Sequence, residues 1–182
     1  MKFTSAKLLK FMLVVALVIP TLLVLPPQAG AYSLLTTISS TDLAEPGGVV
    51  PSLSRPLGVA VNPANGHVFV ANNDCQNFCT ISVFADNGAA TSASSAYLMS
   101  NTVAPRDLAF NISTNHLWVT TDANTVLVLS DGVSGLDGVS QFSLSGFKPN
   151  GIAINPATGH VFVTSTDTDG HSAIWVFVDG AT

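Results

Sequence analysis

The chain has 182 residues, of which 47% are apolar and 9% charged, with 11 acids against six bases. That balance repels a phosphate backbone and excludes nucleic acid as a partner. The acids are ten Asp and Glu45, and a polar complement of Asp, Ser, Thr, Asn and Gly suits turns and strands better than helices.

Residues 1–31 read as an export leader. Lys2, Lys7 and Lys10 make a positive start, Phe11 to Leu25 is an apolar run of 15 residues broken by Pro20, and Ala29-Gly30-Ala31 is a small-x-small cleavage site. The run falls short of the about 20 residues a membrane span needs. The mature chain is therefore expected to begin at Tyr32, to be secreted or displayed at the cell surface (or held in a periplasm), and to insert into no membrane after processing. It keeps only Arg55, Arg106 and Lys148 as cations against 11 acids, a net charge of −8 with His neutral. Residues 32–53 read as an N-terminal strand, Ser33 to Ser39, and a Pro/Gly-rich linker that holds Glu45.

From residue 54 the sequence repeats. In the first unit Leu57–Asn62 predicts strand a, and Asn62-Pro63-Ala64-Asn65-Gly66 is a tight turn with Gly at its left-handed position. His67–Ala71 alternates as strand b. After the loop Asn72–Cys79, Thr80–Ala85 predicts strand c, Asp86-Asn87-Gly88 turns the chain, and Ser95–Met99 is strand d. The second unit predicts strands at Leu108–Asn111, His116–Thr120, Thr125–Leu129 and Val139–Leu144. The third predicts Gly151–Asn155, His160–Thr164 and Ala173–Val178, and shows no strand d after Asp179-Gly180. Cys75 and Cys79 share the first b–c loop, where 13 residues separate His67 from Thr80 and nine separate the matching His116 from Thr125. In an exported chain such a pair predicts a disulfide closing the longer loop, and no further Cys or His follows at metal-site spacing.

His67, His116 and His160 recur at intervals of 49 and 44 residues. A period near 45 carried by short alternating strands is the pattern of β-propeller blades, four-stranded sheets that bury their faces only against neighbours. The expected fold is all-β, a propeller with about three blades at 54–103, 104–146 and 147–182, the last incomplete. Three blades fall below the four to eight that close a ring. An incomplete ring is expected, whether the chain is part of a longer propeller or self-associates to complete it.

Pro56-Leu57-Gly58-Val59-Ala60-Val61-Asn62-Pro63 and Pro149-Asn150-Gly151-Ile152-Ala153-Ile154-Asn155-Pro156, each followed by a Gly-His-Val-Phe-Val strand, resemble the YVTN family of β-propeller repeats, close to the NHL repeats. The resemblance covers about residues 54–182. The middle unit departs from it, with Asp107 in the place of Gly and Ile112 in that of Pro. The resemblance implies an exported or surface propeller. Related propellers include gluconolactonase-like hydrolases, lyases and quinone-dependent dehydrogenases, and fold alone does not choose among them.

In a four-stranded meander the d–a connections and b–c loops share one face of the ring, the a–b and c–d turns the other, and strand a lines the channel. Arg55 beside Pro56, Arg106 beside Pro105 and Lys148 beside Pro149 all fall at d–a connections. They form a candidate site for a small anionic ligand, a carbohydrate or a protein partner. The plainer alternative pairs them across blades with the b–c acids Asp74, Asp122, Asp167 and Asp169. The three repeat histidines lie on too wide a circle to share a metal and are expected to be structural or surface groups. Asp167-Thr168-Asp169-Gly170 resembles the start of a calcium loop but lacks its distal Glu, so it reads as a polar turn, and no cofactor is expected. Asn111-Ile112-Ser113 is a glycosylation sequon whose Asn is expected to bond its own backbone. No nucleophile constellation appears, and no catalytic residue is assigned. The expected role is a binding module, with a hydrolase or lyase and a structural envelope module as alternatives.

Overall fold

The computed structural model of the chain describes residue 37 and residues 53–75, 79–86, 91–99, 102–133 and 135–180. The chain divides into Met1–Leu35 and Thr36–Thr182, and every described strand belongs to the second unit. The leader, its cleavage site and all but Thr37 of the Ser33–Ser39 strand lie outside the described residues. Among the described residues no helix is long and apolar enough to cross a membrane.

Eleven strands are described. The first sheet holds β1 (Pro56–Asn62), β2 (His67–Asn72), β3 (Thr80–Asp86) and β4 (Thr91–Leu98). The second holds β5 (Pro105–Asn111), β6 (His116–Thr121), β7 (Thr125–Gly132) and β8 (Gly135–Ser143). The third holds β9 (Lys148–Asn155), β10 (His160–Thr166) and β11 (Ser172–Val178). Each is an antiparallel meander in chain order. The third sheet has three described strands.

The a–b turns repeat in all three blades. Gly66, Asn115 and Gly159 take φ of 75°, 60° and 69°. Asn is the side chain that best tolerates this left-handed region, so the middle blade keeps the turn without glycine, and Ile112 for Pro does not alter it. In each blade the Asp at the end of strand c, or within one residue of it, donates its N–H to the carbonyl of that left-handed residue: Asp86 to Gly66 at 2.8 Å, Asp131 to Asn115 at 3.2 Å and Asp179 to Gly159 at 3.1 Å.

The inner strands β1, β5 and β9 pack side by side in order. Their approach explains the Pro-x-Gly signature. A Cβ on Gly58 would stand 2.7 Å from the Cα of Asp107 on the next inner strand, and backbone cannot yield as a side-chain tip does. Gly58→Ala should therefore push the first two blades apart and cost about 1–3 kcal/mol, measurable by urea unfolding. A loss below about 0.5 kcal/mol would mean that the strands are not held this close.

The core lies between blades, in two slabs. The first joins Phe69, Ile81 and Val83 of blade one to Leu108, Leu117 and Val119 of blade two. Phe69 stacks on Phe110 with ring centroids 5.7 Å apart. The second joins Trp118, Val126 and Val128 of blade two to Val161, Val163 and Phe177 of blade three. Alternation along each strand sends one set of side chains to the preceding blade and the other to the following one.

Cys75 and Cys79 form the expected disulfide, with Cα atoms 4.4 Å apart. Cys79 is buried in the first slab, and Cys75 packs against it. So small a loop gives a modest chain-entropy gain, and reduction or Cys75→Ser with Cys79→Ser should cost about 2 kcal/mol. Comparing denaturant midpoints with and without reductant checks this, and coincident midpoints would contradict it.

Candidate functional site

The d–a rim carries the three cations in two settings. Arg55 and Lys148 precede their repeat prolines and are exposed, Arg55 with φ of 48°. Arg106 follows its proline. It occupies the repeat position of Leu57 and Asn150, two residues along the chain from the position that Arg55 and Lys148 share. Its Nη1 donates to Asn150 Oδ1 of the next inner strand at 2.9 Å, while its Nε is buried without a hydrogen-bond partner. The three cations thus share a rim but not one repeat position.

Among the described residues no ion pair joins these cations to Asp122, Asp167 or Asp169, and Asp167 pairs with His171 of its own loop. The b–c acid Asp122 instead holds the backbone of its own blade: its Oδ1 accepts the Ala104 N–H at 2.7 Å, and its N–H donates to the Ala104 carbonyl at 3.0 Å. Asp74 likewise donates its N–H to the Ser54 carbonyl at 3.3 Å.

Next to Arg106, the Gly-to-Asp departure has a structural role. Asp107 Oδ1 accepts the Leu108 N–H at 2.9 Å, and its Oδ2 accepts the N–H of Ile152 on the next blade at 3.0 Å. The Thr120 hydroxyl adds a second tie, donating to the Asn150 carbonyl at 2.7 Å. Beyond Asn150 lies a cleft of about 360 Å³ lined by Thr164, Ser165, Thr166 and Ser172, with Ala173 and Ile174. Hydroxyls and an amide beside a guanidinium suit an oxygen-rich, negatively charged ligand.

On the opposite face two of the three repeat histidines, His67 and His116, make contacts between blades. His67 Nδ1 lies 2.9 Å from Asp131 Oδ1, and Asn62 and Asn65 donate to Asp131 Oδ2 at 2.7 and 2.8 Å. One blade on, His116 Nδ1 lies 2.8 Å from Asp179 Oδ1, and Asn111 and Thr114 donate to Asp179 Oδ2 at 2.8 and 2.6 Å. Burial by itself would raise the Asp131 carboxyl, but the hydrogen bonds from Asn65, Asn62 and His67 outweigh it and hold the pKa below the ordinary Asp value. Asp179 is lowered in the same way: burial opposes, and Thr114, His116 and Asn111 prevail. The Trp118 indole N–H also favours that charge without meeting hydrogen-bond geometry. The sequence signal for these acceptors is the Asp that closes strand c in each repeat, which reads as ordinary turn chemistry when seen alone. Asn111 is 1% exposed, and besides its bond to Asp179 its Oδ1 accepts the Ser113 N–H at 3.1 Å, the backbone bond expected of it.

The Asp167–Gly170 segment forms the polar turn expected. Asp167 Oδ1 accepts the N–H groups of Asp169 and His171 at 2.9 and 2.8 Å, and its Oδ2 lies 2.8 Å from His171 Nδ1. His171, which the repeat pattern does not single out, brings the ligand atoms of this group within 4.8 Å of one another. Two carboxylates and an imidazole are fewer oxygens than the six to eight that calcium takes.

No protein-family model matches the chain, and no curated protein matches it. Solved structures do resemble it. A protein from Lactobacillus plantarum is 13% identical with a TM-score of 0.50, over 74% of this chain and 45% of its own. A candidate 6-phosphogluconolactonase from Bacteroides uniformis is 14% identical with a TM-score of 0.52, over 76% of this chain and 46% of its own. The fold is a β-propeller. The chain spans just under half the length of these neighbours, and at such identity the likeness shows fold alone.

Proposed function

We propose that this chain is an exported propeller of the YVTN repeat type that binds a small anionic ligand, a carboxylated or phosphorylated sugar, at the d–a rim. The observation that carries the reading is Arg106: its guanidinium is held by the Asn150 amide and not by a carboxylate, so its charge stays available beside a cleft of hydroxyls. Arg55 and Lys148 add exposed positive charge at the same rim of an otherwise acidic protein, which supports electrostatic recognition.

Calorimetric titration with gluconate and 6-phosphogluconate, against glucose as the neutral control, tests it. The anions should bind, more weakly as salt rises, and replacing Arg55, Arg106 and Lys148 together by Gln should remove binding at unchanged melting temperature. Retained binding with lowered melting would assign the three cations to holding blades together. A second reading, opening of a sugar lactone, is favoured by the name of the Bacteroides neighbour. Against it, both oxygens of Asp107, the carboxylate adjoining Arg106, already accept backbone N–H groups, which suits a positioning group better than a base. Acceleration of gluconolactone or 6-phosphogluconolactone opening above the spontaneous rate, lost in Asp107→Asn, would replace the binding reading by this one.

A further inference from the structure

The contact that joins blade one to Asp131 contains an Asn-Gly pair, Asn65-Gly66. Asparagine is among the thermolabile residues. Its side-chain carbonyl carbon is open to attack by the backbone nitrogen of the next residue, and glycine, with no Cβ, hinders that attack least. In blade one the turn demands glycine there: Gly66 takes a φ of 75°, and a Cβ on it would run into the Asp86 carbonyl. The matching pairs in the other blades are Thr114-Asn115 and Thr158-Gly159, so blade one alone sets an asparagine before the turn glycine.

In the closed contact each polar atom of this reaction is engaged. The attacking nitrogen of Gly66 donates its N–H to the Asn62 carbonyl at 2.9 Å. Asn65 Oδ1 accepts the His67 N–H at 2.9 Å. Its Nδ2 donates across the blade boundary to Asp131 Oδ2 at 2.8 Å and lies 3.1 Å from His67 Nδ1. These bonds hold the amide in place and keep the proton that must be lost in a hydrogen bond, so attack requires the contact to open. Asn65 is otherwise exposed, and water and hydroxide reach it as soon as the contact does.

We propose that Asn65 is a self-modification site gated by the contact between blades one and two. When Asp131 lets go, the Gly66 nitrogen bonds to Asn65 Cγ, the Cγ–Nδ2 bond breaks, and ammonia leaves with the Gly66 amide proton. Water then opens the succinimide to aspartate or isoaspartate. Either product sets a carboxylate against Asp131 where the native amide donated, and two like charges at hydrogen-bond distance do not reseal. Isoaspartate also lengthens the backbone by a methylene just before Gly66, whose carbonyl holds the Asp86 N–H. The site therefore turns a transient separation of the two blades into a permanent one. This inference does not depend on the ligand proposed above.

Incubating the purified chain in mildly alkaline buffer and mapping aspartate and isoaspartate by peptide mass spectrometry tests it. The map separates Asn65 from the other Asn-Gly pairs, Asn87-Gly88, which lies outside the described residues, and Asn150-Gly151, whose Gly N–H is held by Thr164 Oγ1. Conversion at Asn65 should be slow in the native chain and rise with urea below the unfolding midpoint. In Asp131→Ala it should be at least about tenfold faster, because conversion tracks the open population. Asn65→Asp, the product itself, should lower the melting temperature. Asn65→Thr should not, since Thr114 already serves as the matching donor, to Asp179. Native conversion as fast as in the denatured chain overturns the proposal. So does an Asp131→Ala rate no higher than the native one, or a rise at Asn65 matched by an equal rise at Asn150, which would be global unfolding. If Asp131→Ala does not fold, the urea series and the Asn65 pair decide: conversion indifferent to urea, or equal melting of Asn65→Asp and Asn65→Thr, overturns it.

Discussion

Asp131→Ala is expected to destabilise the chain by about 3 kcal/mol, far more than loss of a surface acid. The carboxylate is nearly inaccessible, and its removal strands the Asn62 and Asn65 amides and the His67 imidazole where blades one and two meet. Thermal unfolding should shift down by roughly 6–12 °C for a chain of this size. Asp131→Asn keeps one acceptor oxygen and should lose clearly less. The acid limb of the stability profile gives a second readout. Because the folded pKa of Asp131 lies below the ordinary Asp value of about 3.9, its contribution is fully present above that pH and drains away as pH falls through the folded value. Stability should therefore fall below about pH 4, with a shallower fall in Asp131→Ala. A variant within about 0.5 kcal/mol of the parent, with the same acid slope, would show that the blades do not depend on this carboxylate.

The second large effect is expected at Trp118, at about 3–5 kcal/mol for truncation to Ala. Its ring stacks on Phe142 at 5.7 Å and leans on Phe177 of the next blade at 5.6 Å, so truncation opens a void at the centre of the second slab. Trp118→Phe should be far milder, within about 1 kcal/mol. It retains an aromatic ring and removes an indole N–H that is buried without a hydrogen-bond partner. Chemical unfolding of both variants, followed by far-ultraviolet dichroism, separates the two. Equal losses would mean that the indole nitrogen, and not the ring's area, governs the site.

Inner and middle strands are legible in the sequence because their apolar alternation and turn residues recur: β1 and β2 begin and end within one residue of expectation. Strand c of the second blade is legible only to Leu129, because Ser130, Asp131 and Gly132 break the alternation. It runs on to Gly132 since a buried Asp serves there where an apolar residue would be expected, its charge met by the neighbouring blade. The outer strands begin earlier than their sequence suggests for a different reason. The first six residues of β4, Thr91 to Ala96, are Ala, Ser and Thr with little apolar contrast, and β8 starts at Gly135, four residues before the expected Val139. At the rim, the adjacency of each cation to a repeat proline is visible in the sequence. So is the two-position offset of Arg106 from the other two, but its bond to Asn150 follows only from the packing of the inner strands. Likewise Asp107 looks like a flaw in the repeat until the inner strands are set side by side.

The burial of Asn111 bears on how the protein can be manufactured. In a secretory pathway that attaches glycans to Asn-x-Ser sites, transfer happens while the chain is still emerging. The acceptor amide is then accessible, although it is sealed in the finished molecule. A sugar fixed at Asn111 would have to occupy the space in which its amide meets Asp179, and blade three could not seat. Yeast or mammalian production should thus return a glycosylated, misassembled fraction alongside the correctly folded one, and Asn111→Asp is no remedy because it sets two carboxylates face to face. Ser113→Ala removes the sequon while sparing the amide, since position 113 contributes only its backbone N–H to the turn.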